Sequence, residues 1–153
     1  MNGLLWLHLF GAILFVGNII TAAFWKVMSD RQHNPSIIHS AAKHLMLADY
    51  VFTLPGLALL LISGVLMAVK GGYTLSGMNW LTLSLLLMAV TGAIWLGFLL
   101  PLQRKMIRLS AEGMRSGILP KAYHKASSQW AIYGTAATLL PVAILYLMVF
   151  KSF

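Results

Sequence analysis

The chain has 153 residues, of which 59% are apolar and only 9% are charged, and its formal net charge is +8. Soluble domains average about 45–50% apolar and about 25% charged residues, so this composition excludes a compact fold surrounded by water. Cysteine is absent, which excludes a disulfide framework and a thiolate metal site.

Four apolar stretches predict four membrane-spanning helices. A helix needs roughly 20 residues to cross about 30 Å of hydrocarbon, and each stretch is long enough to do so. The expected spans cover residues 3–25, 49–69, 78–102 and 127–150. We therefore expect an all-α membrane protein, an antiparallel bundle of four transmembrane helices in a single transmembrane domain over residues 1–153.

The first span carries one face of small and polar residues. They recur at spacings of three and four, which places them along one side of a helix: His8, Gly11, Phe15, Asn18 and Ala22. Small residues let neighbouring helices approach closely, and polar side chains are costly against lipid. This face is predicted to look into the bundle.

His8 is the main candidate for chemistry, because it is the one histidine inside an apolar stretch. A neutral imidazole ligates haem iron or copper, and Gly11, one turn away, is expected to leave room for a flat macrocycle. Asn18 lies further along the same face and is assigned to the same cofactor site. The alternative is a structural histidine that hydrogen-bonds a serine or a backbone carbonyl.

The second span carries a similar inward face, formed by Asp49, Thr53, Gly56, Ser63 and Met67. Met67 lies near the outer end of the span and is the best protein candidate for a second ligand at the depth of His8. A His and Met pair suits haem iron of relatively high potential and also Cu(I). The alternative for Met67 is a packing role.

Asp49 lies where the second span enters the membrane, and it is one of only three acidic residues. We expect it to cap the helix, or to pair with a base such as Lys43 or Arg104. Pro55 is expected to interrupt the backbone hydrogen bonds of this span.

The last two spans complete the set of inward faces. The expected residues are Ser84, Met88, Thr91 and Trp95 in the third span, and Trp130, Gly134, Ala137 and Pro141 in the fourth. Aromatic residues near the span ends predict interfacial belts, formed by Trp6, Trp25, Tyr50, Trp80, Trp130 and Tyr146.

The basic residues predict the orientation in the membrane. Nine of the eleven Lys and Arg residues lie in the connectors 26–48 and 103–126, whereas Lys70 and Lys151 lie on the other side. By the positive-inside rule, both connectors are cytoplasmic and both termini lie outside, in a bacterial inner (plasma) membrane. The charge therefore indicates topology and not nucleic-acid binding. The second connector is expected to form a short helix on anionic head groups or, alternatively, a solvated linker.

A weak internal repeat relates the two halves of the chain. A shift of 80 residues places His44 on His124, Asp49 on Gln129 and Tyr50 on Trp130. Two repeated hairpins related by an axis along the membrane normal would explain the matches. Chance similarity between apolar sequences is the alternative.

Four segments carry a resemblance to a known family. They are LHLFGAILFVGN, ADYVFTLPGLALLLISGVLMA, NWLTLSLLLMAVTGAIWLGFLLPLQRKM and LYLMVFK. Over nearly its full length the chain resembles a bacterial family of predicted integral membrane proteins, domain of unknown function 2269. More distantly, it is similar to the haem-associated protoporphyrinogen oxidase type and the copper-resistance D type. Only His8 matches a residue of these two families, the histidine in their first span. The third span has no basic residue before Arg104, which argues against the oxidase activity.

The function expected from these features is haem b binding through His8, with a role in membrane electron transfer or redox chemistry. The alternative is a non-enzymatic membrane subunit for transport, copper handling or assembly. In either case the lipid bilayer is the expected surrounding. For the non-enzymatic alternative, a second copy or a membrane partner is expected to pack against the small-residue faces.

Overall fold

The computed structural model describes residues 1–151, and no strand occurs within them. Six α-helical segments and two π-helical turns form the fold. In chain order they are α1 (Asn2–Asp30), α2 (Pro35–Ala48), the first π turn (Asp49–Thr53), α3 (Leu54–Lys70), α4 (Trp80–Ile94), the second π turn (Trp95–Leu99), α5 (Leu100–Ser116) and α6 (Lys121–Phe150).

These segments join into four continuous helices. They are Asn2–Asp30, Pro35–Lys70, Trp80–Ser116 and Lys121–Phe150, and each is long and apolar enough to cross a membrane. The prediction of an all-α bundle with four spanning helices is confirmed.

Both basic connectors are largely helical. Helix α2 occupies most of 26–48, while α5 and the start of α6 occupy most of 103–126. The helix Pro35–Lys70 has 36 residues and is therefore about 54 Å long, whereas the hydrocarbon layer is about 30 Å thick. The bundle consequently extends well beyond the membrane at the end that carries most of the basic residues.

Part of the buried core lies in this basic end. Met106 of α5 is 0% exposed, and Tyr123 and Ala126 of α6 are almost as deeply buried beside Ile38 of α2. The Nδ1 atom of His39 in α2 lies within hydrogen-bond distance of two α5 atoms, the Ile107 carbonyl oxygen at 3.2 Å and Ser110 Oγ at 3.0 Å. Helix α5 is therefore part of the folded bundle and is neither a helix lying on head groups nor a solvated linker.

The inward faces predicted for the spans are confirmed. Gly11 and Phe15 of α1 are buried, as are Asp49, Gly56 and Ser63 of the second helix. The opposite faces carry exposed large apolar residues, which lipid covers in a membrane protein; they include Ile13, Ile62, Leu86, Leu96, Ile132 and Leu139.

Two prolines explain the two π turns. Pro55 and Pro101 each follow a π turn by two residues and have no N–H to donate to the carbonyl four residues earlier. Those carbonyls belong to Val51 and Gly97, and each lies inside a π turn. The helices therefore continue past each proline with a locally widened backbone instead of ending there.

Candidate functional site

The carboxylate of Asp49 lies at the centre of a buried hydrogen-bond network. Its Oδ1 accepts hydrogen bonds from Asn18 Nδ2 at 3.1 Å and from Thr53 Oγ1 at 2.8 Å. Its Oδ2 accepts from Trp95 Nε1 at 3.2 Å and from Gln103 Nε2 at 2.7 Å. Asp49 is only 6% exposed, so the network holds a carboxylate away from water.

All four partners of Asp49 donate, which fixes the charge that this arrangement accommodates. A carboxylate is a pure acceptor, whereas a protonated carboxyl must donate to an acceptor. Hydrogen bonding to the charged form stabilises it in place of water. The arrangement thus matches the hydrogen-bonding capacity of a carboxylate, and all four contacts come from uncharged side chains.

The predicted cap and ion pairs of Asp49 are wrong. Asp49 lies within a continuous helix, so it caps no helix end. Lys43 and Arg104 are both exposed, and the one ion pair within residues 1–151 joins Lys26 to Asp30. Its true partners are neutral donors that only the folded bundle brings together.

The two π turns position both Asp49 and Trp95. A π turn shifts the side chains that follow it around the helix axis, and such turns occur frequently at functional sites. Asp49 opens the first π turn and Trp95 opens the second, and their side chains meet across the helix interface. The sequence signal for this geometry is the proline after each turn.

A central cavity of about 300 Å³ lies beside this network. Apolar residues of all four long helices form most of its wall, among them Phe15, Ile19, Leu57, Leu99, Ala137 and Leu139. The polar side chains of the wall are Asp49, Trp95, Gln103 and Trp130 and the threonines Thr53, Thr91, Thr135 and Thr138. The lining residues Val27 of α1 and Ala131, Thr135 and Leu139 of α6 are exposed, so the cavity opens laterally between α1 and α6.

Two buried polar atoms on the cavity wall have no partner among the residues that the structure describes. They are Gln103 Oε1, an acceptor, and Trp130 Nε1, a donor. Gln103 is 4% exposed and Trp130 is 7% exposed. A buried polar atom without a partner is costly, and such cases indicate a bound water, ion or ligand.

His8 lies between α1 and α3, outside this network. Ser63 Oγ donates its one proton to the Leu59 carbonyl oxygen, so it accepts from His8 Nδ1 at 3.1 Å. This hydrogen bond places the proton on Nδ1 and leaves the lone pair on Nε2. The contact with a serine is the alternative considered for His8 from the sequence.

The other residues assigned to a His8 cofactor site do not surround one shared space. Gly11 lies against α3, where an added Cβ would come within 2.9 Å of the Gly56 carbonyl oxygen, so this glycine leaves no room for a macrocycle. Asn18 bonds Asp49 instead. Met67 is half-buried on the same face of α3 as Gly64, which touches the His8 ring. Of the four residues assigned to the cofactor site, only His8 and Met67 thus lie in the same part of the contact between α1 and α3.

A second buried network joins α1 to α6 at the basic end of the bundle. Lys26, only 3% exposed, pairs with Asp30 and donates to Ser127 Oγ at 2.7 Å. Asp30 accepts from Tyr123 at 2.7 Å and from Ser127 at 2.9 Å. The Lys26 ammonium also lies 5.8 Å from the ring centre of Trp130. We call Lys26, Asp30, Tyr123 and Ser127 the Lys26 cluster.

Sequence reasoning missed several of these residues. Lys26 is assigned no partner from the sequence, although its spacing of four from Asp30 places the two on one helix face. Trp130 was assigned both to an inward face and to an interfacial belt, and its burial rules out the belt. Gln103 gave no signal, because it was placed in a connector rather than in a span.

Comparison with known proteins supplies a family and no further relatives. A family model described as "Predicted integral membrane protein (DUF2269)" matches residues 3–152. No curated protein and no solved structure matches the chain. Since the family model covers nearly every residue, the chain belongs to the DUF2269 family of predicted integral membrane proteins.

Proposed function

We propose that this membrane protein binds a small lipid-soluble molecule in its central cavity, as a non-enzymatic subunit for transport. The single observation that carries the proposal is a mostly apolar cavity in whose wall two buried polar atoms, Gln103 Oε1 and Trp130 Nε1, have no partner within the described chain. Ligand sites in proteins are typically apolar concavities with a few polar groups that orient the ligand.

The lateral opening indicates the route of the ligand. Ala131, Thr135 and Leu139 edge the cavity on α6, inside the apolar stretch of that helix. A molecule that enters between α1 and α6 at this depth comes from the lipid and not from water. Its polar group would donate to Gln103 and accept from Trp130, while its apolar part fills the rest of the cavity.

Two matched glycine substitutions test this proposal. In Gly134→Leu the new side chain would project into the cavity, because the atoms nearest to an added Cβ lie 3.9 Å away or more. Gly17→Leu adds the same atoms to α1 at a position with nothing within 4 Å of the Cβ and outside the cavity lining. Both proteins are purified in mild detergent, and native mass spectrometry measures the small molecules that they retain.

We expect the wild type and Gly17→Leu to retain a lipid-soluble molecule in comparable amounts, and Gly134→Leu to lose at least nine-tenths of it, about a tenfold effect. Equal retention by both variants would place the molecule outside the cavity. Retention by none of the three proteins would contradict ligand binding itself.

Haem or copper at His8 is a second candidate, favoured by one specific contact. The hydrogen bond from Nδ1 to Ser63 orients the ring and leaves the Nε2 lone pair, as metal-ligating histidines require. The packing of Gly11 against α3 argues against haem, whereas a copper ion needs far less space.

Oxidised and reduced absorbance spectra and copper content are measured for the wild type, His8→Ala and, as a control at an exposed histidine, His44→Ala. A Soret band or copper that only His8→Ala loses supports this site, and neither signal in the wild type contradicts it.

We also propose a bacterial inner membrane location with both termini outside the cytoplasm, supported by the uneven distribution of Lys and Arg. A second copy or another membrane protein remains a proposed partner, supported by the exposed Gly97, at which an added Cβ would meet nothing within 4 Å.

A further inference from the structure

We infer that the ligand of the central cavity is an uncharged, lipid-soluble alcohol, whose hydroxyl group donates to Gln103 Oε1 and accepts from Trp130 Nε1. The inference rests on the proposed function, because it names the chemical class of the molecule that the cavity binds. Ketones, ethers, acids and amines of the same size are expected to bind more weakly.

The contacts of Gln103 determine which end of its amide is free. Gln103 Nε2 donates to Asp49 Oδ2 at 2.7 Å, and three further donors already surround the same carboxyl group. The reverse orientation of the amide would bring two acceptor oxygens together. Gln103 Oε1 is therefore the atom without a partner within the described residues, and it provides an acceptor in the cavity wall.

Trp130 Nε1 is the complementary donor in the same wall. The other indole of the wall, that of Trp95, donates to Asp49. The threonine hydroxyl groups also have acceptors for their protons, either Asp49 or a backbone carbonyl oxygen of the same helix: Thr53, Thr91, Thr135 and Thr138. Among the described side chains of the wall, one donor atom and one acceptor atom thus have no partner.

The buried Lys26 lies near Trp130 but supplies no charge to a ligand. Its ammonium pairs with Asp30 and donates to Ser127 Oγ at 2.7 Å, and Lys26 does not line the cavity. The ammonium lies over the Trp130 ring, 5.8 Å from the ring centre, where the face of an indole attracts a cation. The N–H group at the edge of the ring remains free for the ligand.

The charges of the cavity wall favour an uncharged ligand. Asp49 is the one ionisable side chain among the described residues that line the cavity. A carboxylate or phosphate ligand would be buried there without a cation, which is costly. An ammonium group could approach Asp49, but it has no acceptor for Trp130 Nε1.

A hydroxyl group matches the two free atoms because a single oxygen both donates and accepts. A ketone or ether oxygen would accept from Trp130 Nε1 and leave Gln103 Oε1 without a donor. Because an unsatisfied buried acceptor lowers affinity, such ligands should bind more weakly than an alcohol of the same shape.

Competition between two isomers tests the role of the hydroxyl group. Decanol and methyl nonyl ether contain the same atoms, but only decanol can donate a hydrogen bond. The full chain in mild detergent is incubated with an equimolar mixture, and gas chromatography measures how much of each isomer co-purifies. Gly134→Leu, in which the new side chain fills the cavity, gives the background that the detergent carries.

We expect the wild type to retain decanol over the ether by about fivefold or more, the effect of one missing buried hydrogen bond. Equal retention of the isomers, or a preference for the ether, would overturn the inference and assign water as the partner of the two atoms. Ligand binding in the cavity would then still stand. Retention of neither isomer above the background would contradict the proposed function, and the inference with it.

Two variants assign the hydrogen bonds to their residues. Gln103→Leu should abolish the preference for decanol, whereas Trp130→Phe should lower the retention of both isomers, because both accept from Nε1. The same substitutions at exposed residues, Gln129→Leu and Trp25→Phe, should change neither result. Circular dichroism identifies the variants that are folded, and an unchanged preference in folded Gln103→Leu would overturn the inference. The preference of the wild type tests it independently of any variant.

Discussion

Removal of the Asp49 carboxylate would leave several buried donors without an acceptor. In Asp49→Ala, Asn18 and Thr53 still bond each other, but the donors of Trp95 and Gln103 lose their partner. Each such donor costs about 1–3 kcal/mol, so we expect a loss of roughly 2–6 kcal/mol in the free energy of unfolding. Unfolding in mixed micelles with increasing SDS, followed by near-UV circular dichroism, measures it.

The exposed acid Glu112 provides the control for that experiment. Glu112→Ala should change the unfolding free energy by no more than about 0.5 kcal/mol, as exposed substitutions usually do. Similar losses in the two variants would show that the Asp49 network contributes little to stability.

The Lys26 cluster should behave as a coupled unit. Lys26→Met leaves Asp30 half-buried without its cation, and Asp30→Asn leaves the buried ammonium of Lys26 without its carboxylate. Breaking such a pair is costly, whereas replacement of both charges is often nearly neutral. We expect the double variant to be more stable than Lys26→Met alone, with a coupling energy of about 0.5–3 kcal/mol in a double-mutant cycle. Strictly additive effects would argue against the cluster.

The sequence predicts the role of a residue only where that role depends on the residue's own helix. The spacing of Gly11, Asn18 and Thr53 placed them on inward faces, and the structure agrees. Their partners depend on contacts between helices distant in sequence, as in the bond between Asp49 and Gln103. A periodic pattern predicts which face of a helix points inward, but it does not predict which side chains of other helices contact that face.

At the scale of helices, the close approach of α1 and α3 depends on glycine. An added Cβ at Gly11 would lie 2.9 Å from both the Gly56 carbonyl oxygen and Leu59 Cβ, so the backbones would have to separate. Gly17, on the same helix, has nothing within 4 Å of an added Cβ. Gly11→Ala should destabilise the protein by about 1–3 kcal/mol, as overpacking does.

Gly17→Ala should have the opposite sign. Alanine is favoured over glycine within a helix by about 1 kcal/mol, and no contact opposes the change at this position. Unfolding midpoints of the two variants, measured under the same conditions, should therefore lie on either side of the wild-type value. A stabilising Gly11→Ala would show that α1 and α3 are not tightly packed there.

The lengths of the helices were harder to predict than their number. Apolar stretches identify all four, but the bounds expected for the spans lie near the charged residues, whereas the helices continue through them as α2 and α5. Basic residues such as Lys43 and Arg108 occupy the exposed side of these segments, while Ala42 and Leu109 are buried. Pro55 was expected to interrupt hydrogen bonds, and the structure resolves that interruption as a π turn.

At the scale of the whole molecule, α1 connects two buried polar networks in the same half of the bundle. Asn18 reaches the Asp49 network, and two turns further on Lys26 and Asp30 reach α6. The central cavity has both Asp49 and Trp130 in its wall, and the Lys26 ammonium lies 5.8 Å from the ring centre of Trp130. The Lys26 cluster joins α1 to α6 through the contacts of Lys26 and Asp30 with Ser127 and Tyr123.

The orientation of this bundle in the membrane is testable because the chain contains no cysteine. Ser76 lies in the turn between α3 and α4, and Gln32 lies in the turn between α1 and α2; both are exposed. A membrane-impermeant maleimide added to intact spheroplasts should label Ser76→Cys, whereas Gln32→Cys should be labelled only after permeabilisation. The positive-inside rule predicts this result, because nine of eleven basic residues lie at the end with Gln32. Labelling of Gln32→Cys alone in intact spheroplasts would invert the topology and place the Lys26 cluster towards the outside.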